Sequence, residues 1–215
     1  MGSSLAENGK SIMKHLSLWQ IAMIPWWAFA AYWTMTWLRV KRTKTSEPIM
    51  GRLSTILPLV IAFELLFSNS ASIGPLGWRF LPVEIALTWA GIAMTAFGAA
   101  LAIWARYTLG EYWSARVTLK EGHRIIRSGP YRFVRHPIYT GMLVASTGTA
   151  LVVGEWRAVL AVLTLLVVHS FKARREERLL TSEFGPEYLA YRRSTGFLFP
   201  RLWVAPRMDT RRTGS

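Results

Sequence analysis

Side chains able to do chemistry gather in three stretches of the 215-residue chain. The first, "HRIIRSGPYRFVRHPIYTG" at 123–141, holds His123, Tyr131, Arg135, His136 and Tyr139, with Gly129 and Pro130 as a turn signal. Pro137 opens a helix at the position where its missing amide proton costs least. The free amides and dipole at such a helix start form a seat for a carboxylate or phosphate. His136 and Tyr139, three residues apart, share one face. The second stretch is "RREE" at 174–177. Adjacent side chains on a helix diverge by about 100°, so one of Glu176 and Glu177 is expected to face inward and the other outward. The third, "RYTLGEYWS" at 106–114, closes a helix and turns.

Each stretch also has a reading without chemistry. His-Pro-x-Tyr can be a helix start behind a snorkelling arginine, and "RREE" a solvated helix end whose charges pair with one another. What joins the first two is the apolar sequence between them, 138–153 and 159–171, linked by the tip "GEWR". At about 1.5 Å rise per residue each run barely matches the hydrocarbon core, so the two read as a tight helical hairpin. Folding that hairpin brings both polar stretches to the same end. Polar groups at the edge of a hydrophobic span are costly unless paired or used.

The rest of the chain fits a bilayer: 52% of residues are apolar and 11 are Trp. Residues 16–38 form an uncharged run, 53–67 a second interrupted by Pro58 and Glu64, and 85–104 a third. With the hairpin this makes five crossings. The expected fold is an all-α integral membrane protein with five transmembrane helices, the last two a tight hairpin, whose cytoplasmic loop and C-terminal helices form a pocket. Gly91, Ala93, Ala96, Gly98, Ala99, Ala100 and Ala102 in the third span let another helix approach closely. The fifth helix continues out of the membrane and stops at Gly185 and Pro186, where a short amphipathic helix, "PEYLAYRR", begins. Residues 1–9 read as a disordered start and 201–215 as a tail. The chain thus divides into an N-terminal membrane region, 1–104, a region that holds the polar stretches, 105–200, and the tail.

Lys and Arg number 26 against 12 Asp and Glu, a net charge of +14. Nucleic-acid binding is excluded by where these charges sit. The loops 39–52 and 105–137 and everything after Lys172 are rich in Lys and Arg, whereas 68–82 and 154–157 hold only Arg79 and Arg157. That alternation sets topology and attracts anionic headgroups. It places the N-terminus outside and the C-terminus, with the polar stretches, in the cytoplasm. The absence of Cys excludes disulfides and thiolate metal sites, and His15, His123, His136 and His169 lack metal-ligand spacing. No metal is expected. The first span is too long for a signal-peptide core and ends in "RVKR", so it is expected to be retained.

The pattern H-x(5)-G-P-Y-R-x-V-R-H-P-x-Y-x-G at 123–141, followed after a hairpin by E-E-x-x-L-x-x-x-F-G-x-E-Y-x-x-Y at 176–191, resembles the isoprenylcysteine carboxyl methyltransferase family and, more loosely, phospholipid methyltransferases. The resemblance implies an integral-membrane enzyme that uses S-adenosyl-L-methionine to methylate a lipid-like or prenylated acceptor, first of all an isoprenylcysteine-type carboxylate. It also implies a cofactor pocket of His123, Arg124, Ile125, Ile126, Tyr131, His136, Pro137, Ile138, Tyr139 and Glu176. The family's arginine four residues before that glutamate corresponds here to Lys172, a point charge rather than a bidentate fork. Arg135, His136, Lys172 and Arg175 are therefore the candidates for holding the acceptor and organising catalysis. Two other readings stand beside this one: an NADPH-dependent membrane sterol-type reductase, and a non-enzymatic membrane lipid-binding protein.

Overall fold

The computed structural model describes residues 2–37, 49–110, 113 and 125–201, and all its regular elements are helical. They are α1 (Gly2–Trp37), α2 (Ile49–Phe67), α3 (Ile85–Leu109), α4 (Pro137–Val153), α5 (Trp156–Phe184) and α6 (Pro186–Ser194). Pro137 occupies the first turn of α4, and Gly154, with φ +67°, closes it in the left-handed conformation that glycine adopts without steric cost. Only Glu155 separates this turn from α5, so the hairpin is as tight as expected. The α5 helix runs on to Phe184, where Gly185 stops it and Pro186 starts α6. One expectation is overturned. Helix α1 already begins at Gly2, because Leu5, Ala6, Glu7 and Met13 are good helix formers.

Two helices, α3 and α5, are long and apolar enough to cross a bilayer by themselves; Leu53–Phe67 and α4 are shorter apolar segments. Their outward faces carry large apolar side chains, among them Phe97 at 65% exposure, Leu163 at 53% and Phe171 at 66%. Water disfavours so extensive an apolar surface and hydrocarbon does not. The chain is an integral membrane protein.

The inward faces are made of small residues. Helix α3 buries Gly91, Thr95, Gly98, Ala102 and Ala105, a stripe at three- and four-residue spacing. It lies against Gly141, Ala145 and Gly148 of α4. A Cβ at Gly141 would fall 2.6 Å from the amide nitrogen of Ala102 and from the carbonyl oxygen of Gly98, so the backbones are in direct contact. Threonine hydroxyls bridge the seam: Thr95 donates to the carbonyl of Ala145 at 3.3 Å, and Trp26 of α1 donates to Thr149 at 2.9 Å. Helix α2 packs on α5 and α1 on α3. At the hairpin tip Arg157, 4% exposed, donates to the carbonyls of Leu65 and Ser68 at 2.8 and 2.9 Å and pairs with Glu155 at 2.6 Å. The other end of the hairpin is thereby left to position the polar stretches.

Candidate active site

The chain before α4 is held by the chain after α6. A single 3-10 turn, Gly129–Arg132, leads to Val134, which runs parallel to Gly196. The amide of Arg135 donates to the Gly196 carbonyl at 2.9 Å, that of His136 to Phe197 at 3.3 Å, and that of Gly196 back to Phe133 at 3.0 Å. Side chains reinforce the pairing. The Thr140 hydroxyl donates to the Leu198 carbonyl at 2.6 Å, the Tyr191 hydroxyl to the Tyr131 carbonyl at 2.7 Å, and Arg135 to the carbonyls of Thr195 and Arg192 at 2.5 and 3.1 Å. With backbone bonds on both sides of it, His136 has little freedom.

The buried imidazole of His136 sits between two carboxylates of α5. Its Nδ1 lies 3.5 Å from Oε2 of Glu176 and its Nε2 3.4 Å from Oε1 of Glu177. Tyr139, stacked beside His136 at 5.8 Å between ring centres, donates its hydroxyl to Glu176 at 2.6 Å. Arg135 donates to Glu177 at 2.5 Å, and Arg192 lies 3.3 Å from the same carboxylate. Burial by itself disfavours protonated His136, but the hydrogen bonds to Glu176 and Glu177 outweigh it and raise the imidazole above its ordinary 6.5. Burial likewise opposes ionised Glu176; His136 and then Lys172 overcome it and hold the carboxyl below its usual value. Glu177 is lowered in the same way, against burial, by His136 and Arg135. The cluster is therefore two carboxylates braced by one imidazole. With a carboxylate facing each nitrogen, His136 is an organiser of charge.

Residues 91–182 match the model of the isoprenylcysteine carboxyl methyltransferase (ICMT) family. They contain α4, with the helix start that carries His136, and the part of α5 that carries both glutamates. Over this stretch the chain is similar to that family.

Among its relatives, the cobalt-zinc-cadmium resistance protein CzcN of Cupriavidus metallidurans is 38% identical over 44% of this chain and 44% of its own. Protein-S-isoprenylcysteine O-methyltransferase A of Arabidopsis thaliana is 38% identical over 37% of this chain and 41% of its own. Methanethiol S-methyltransferase 2 of Bradyrhizobium diazoefficiens is 38% identical over 39% and 31%. In each case the match spans less than half the length of the relative.

Of the residues that the ICMT resemblance singles out, the structure brings His136, Tyr139 and Glu176 into one cluster, with Arg135 behind it. Tyr131, Ile126 and Ile138 form an apolar group with Ala105 and Trp113, and Tyr139 borders it. Pro137 is buried at the start of α4. Lys172 places its ammonium 5.6 Å from the ring centre of Tyr139. Arg175 is half-buried on α5, and Ile125 precedes Ile126 in the segment leading to the 3-10 turn. His123 and Arg124 lie outside the described residues. Arg106, from the third polar stretch, is instead a strut. Its guanidinium lies 4.4 Å from the Trp113 ring centre and donates to the carbonyls of Thr36 and Gly110 at 3.1 and 2.7 Å.

The expectation that one glutamate points away is corrected. An imidazole presents its two nitrogens on different edges, so side chains about 100° apart can grip it from both. Three neighbours carry no signal in the sequence. Phe197 packs edge-on against His136 at 5.3 Å, Trp113 joins the apolar group, and His169 stacks on Tyr139 at 4.9 Å. Beyond Phe197 and Arg135 opens a cavity of about 500 Å³, also lined by Arg192, Arg193 and Arg201.

Proposed function

We propose that this protein is an S-adenosylmethionine-dependent methyltransferase of the membrane boundary, acting on a lipid-like acceptor, with carboxyl O-methylation of an isoprenylcysteine-type molecule as its first reaction. The observation that carries the reading is the cluster of His136, Tyr139, Glu176 and Glu177, which two distant motifs build at one end of the hairpin. The residues suit the cofactor, a zwitterion with an added sulfonium cation. Glu176, ionised and 23% exposed, matches an ammonium group. The first-turn amides of α4, which lack intrahelical acceptors, match a carboxylate, and the apolar group of Ile126, Tyr131, Ile138 and Trp113 matches an adenine. When bound, S-adenosylmethionine supplies an electrophilic methyl group.

The chain's own part is positioning. Braced His136 fixes Glu176 and Glu177, and Tyr139 fixes Glu176 from the side. Lys172, whose ammonium lies 5.6 Å from the ring centre of Tyr139, is the cation we assign to the acceptor carboxylate. A carboxylate is already ionised at neutral pH, so the reaction needs no general base. Relatives named for isoprenylcysteine O-methylation and for methanethiol S-methylation support methyl transfer as the reaction class. The proposed topology has five crossings, the N-terminus outside and the site on the cytoplasmic side.

The test is a methyl-transfer assay with labelled cofactor against extracted lipids and a prenylcysteine analogue, together with titration of S-adenosylhomocysteine and NADPH in detergent. Labelled lipid and S-adenosylhomocysteine binding are expected. Binding of NADPH alone would favour the reductase, and binding of neither would favour a lipid-binding protein without activity.

A further inference from the structure

Helix α5 carries a buried imidazole that the site described so far does not use. His169 is 2% exposed, and neither of its ring nitrogens has a hydrogen-bond partner. Four buried side-chain nitrogen or oxygen atoms lack partners among the described residues, and two of them belong to this one ring. Buried polar atoms are ordinarily paired, and each exception calls for a cause. The position supplies one. His169 precedes Lys172 by one helical turn and Glu176 by two, so the three lie along one face of α5. Its ring stacks on Tyr139, whose hydroxyl is bound to Glu176 and whose other neighbour is His136. The imidazole thus stands next to the polar cluster, on the side nearer the membrane interior. One turn deeper on α5, Leu165 and Leu166 belong to an apolar group with Leu143, Ala62 and Phe63.

A neutral imidazole has one N–H and one lone pair. An oxygen acceptor can meet the N–H, but only a donor can meet the lone pair. A carboxylate, which only accepts, leaves it unmet. We propose that His169 is a binding site for the head group of an apolar molecule that carries one O–H or S–H, a phenol, alcohol or thiol, which donates to the imidazole from the side nearer the membrane interior. This binding site does not rest on the function proposed above, whose acceptor is a carboxylate.

The experiment needs no cofactor. Purified protein in nanodiscs is titrated with 4-decylphenol and with its methyl ether, which differ in a single hydrogen-bond donor. The wild type is expected to prefer the phenol by about tenfold, the effect of one net hydrogen bond. His169→Phe should abolish the preference, and His169→Gln, whose amide oxygen accepts, should keep part of it. A preference that survives His169→Phe unchanged, or none in the wild type, overturns the proposal. Nitrogen-15 spectra of the wild type give a second readout: the His169 signal, assigned by its loss in His169→Gln, should shift with the phenol and not with the ether. No shift overturns the proposal even where His169→Phe fails to accumulate. Titration with S-adenosylhomocysteine separates the two readings. A phenol preference without S-adenosylhomocysteine binding supports the His169 site and defeats the methyltransferase.

Discussion

His136 has a carboxylate at each ring nitrogen, and its stability contribution therefore has two pH limits. Glu176 and Glu177, lowered from 4.5, stabilise the fold above that value, and the contribution is lost as pH falls through their folded values. His136, raised from 6.5, stabilises it below that value, and the contribution is lost as pH rises through its folded value. Both are present between 4.5 and 6.5. The melting temperature in detergent should be highest in that window and decline on each side. His136→Gln should flatten the alkaline limb; an alkaline limb that persists in the variant would remove His136 from its cause. For the cofactor, Glu176→Gln exchanges a charged hydrogen-bond acceptor for a neutral one. S-adenosylhomocysteine affinity should fall by roughly 1.5–3 kcal/mol, measured by calorimetry, and an unchanged affinity would place Glu176 outside the pocket. The residues that chemistry singles out in the sequence were legible because Pro137 fixes a helix start and a hairpin must bring its ends together. Glu177 was misread because helical spacing describes directions around α5 and not the shape of what α5 surrounds. His169 was invisible, since one histidine in an apolar run has no spacing to read.

At the scale of elements the closest fit is the seam of α3 and α4, where Gly98 and Gly141 bring backbone against backbone. A side chain at Gly141 meets the Ala102 amide and the Gly98 carbonyl, which cannot rotate away as a flexible side chain would. Gly141→Val should therefore lower stability by at least about 1–3 kcal/mol, the usual effect of overpacking, and separate α3 from the helix start that holds His136. Thermal unfolding in detergent measures the first effect and S-adenosylhomocysteine titration the second; a variant as stable as wild type would show that the seam has slack. The small residues of α3 were readable in the sequence as a surface for close approach, and the boundaries of α4, α5 and α6 followed from Pro137, Gly154, Gly185 and Pro186. The lock between 133–136 and 195–198 was not readable. It consists of backbone hydrogen bonds, and backbone groups are the same in every residue, so no pattern of side chains announces which segments they join.

Over the whole molecule the basic residues divide by end. Arg127, Arg132, Arg135, Lys172, Arg174, Arg175, Arg192 and Arg193 lie at the end with the site, whereas the hairpin tip and its surroundings hold Arg79 and Arg157. Those two are engaged in structure: Arg79 donates to the Val153 carbonyl at 2.9 Å and Arg157 to those of Leu65 and Ser68. They tie helix ends together and do not blur the asymmetry that sets orientation. The site should accordingly face the cytoplasm, and the loop after α2 the opposite side. The chain contains no cysteine, so a single substitution provides a unique label. Ser182, on the part of α5 beyond the glutamates, and Ser70, in the loop after α2, are both exposed. A membrane-impermeant maleimide should label Ser182→Cys only in inside-out vesicles and Ser70→Cys only in right-side-out ones. The reverse pattern would turn the site outward, and labelling of both from one side would mean that an even number of crossings separates them. The expected pattern opens the cluster of His136, Glu176 and Glu177 to a water-soluble cofactor from the cytoplasm, while the exposed apolar face of α5, with Leu163, Val167 and Phe171, stays in the lipid. Two reactants of opposite solubility can meet only at such a boundary, and the hairpin holds its polar end there.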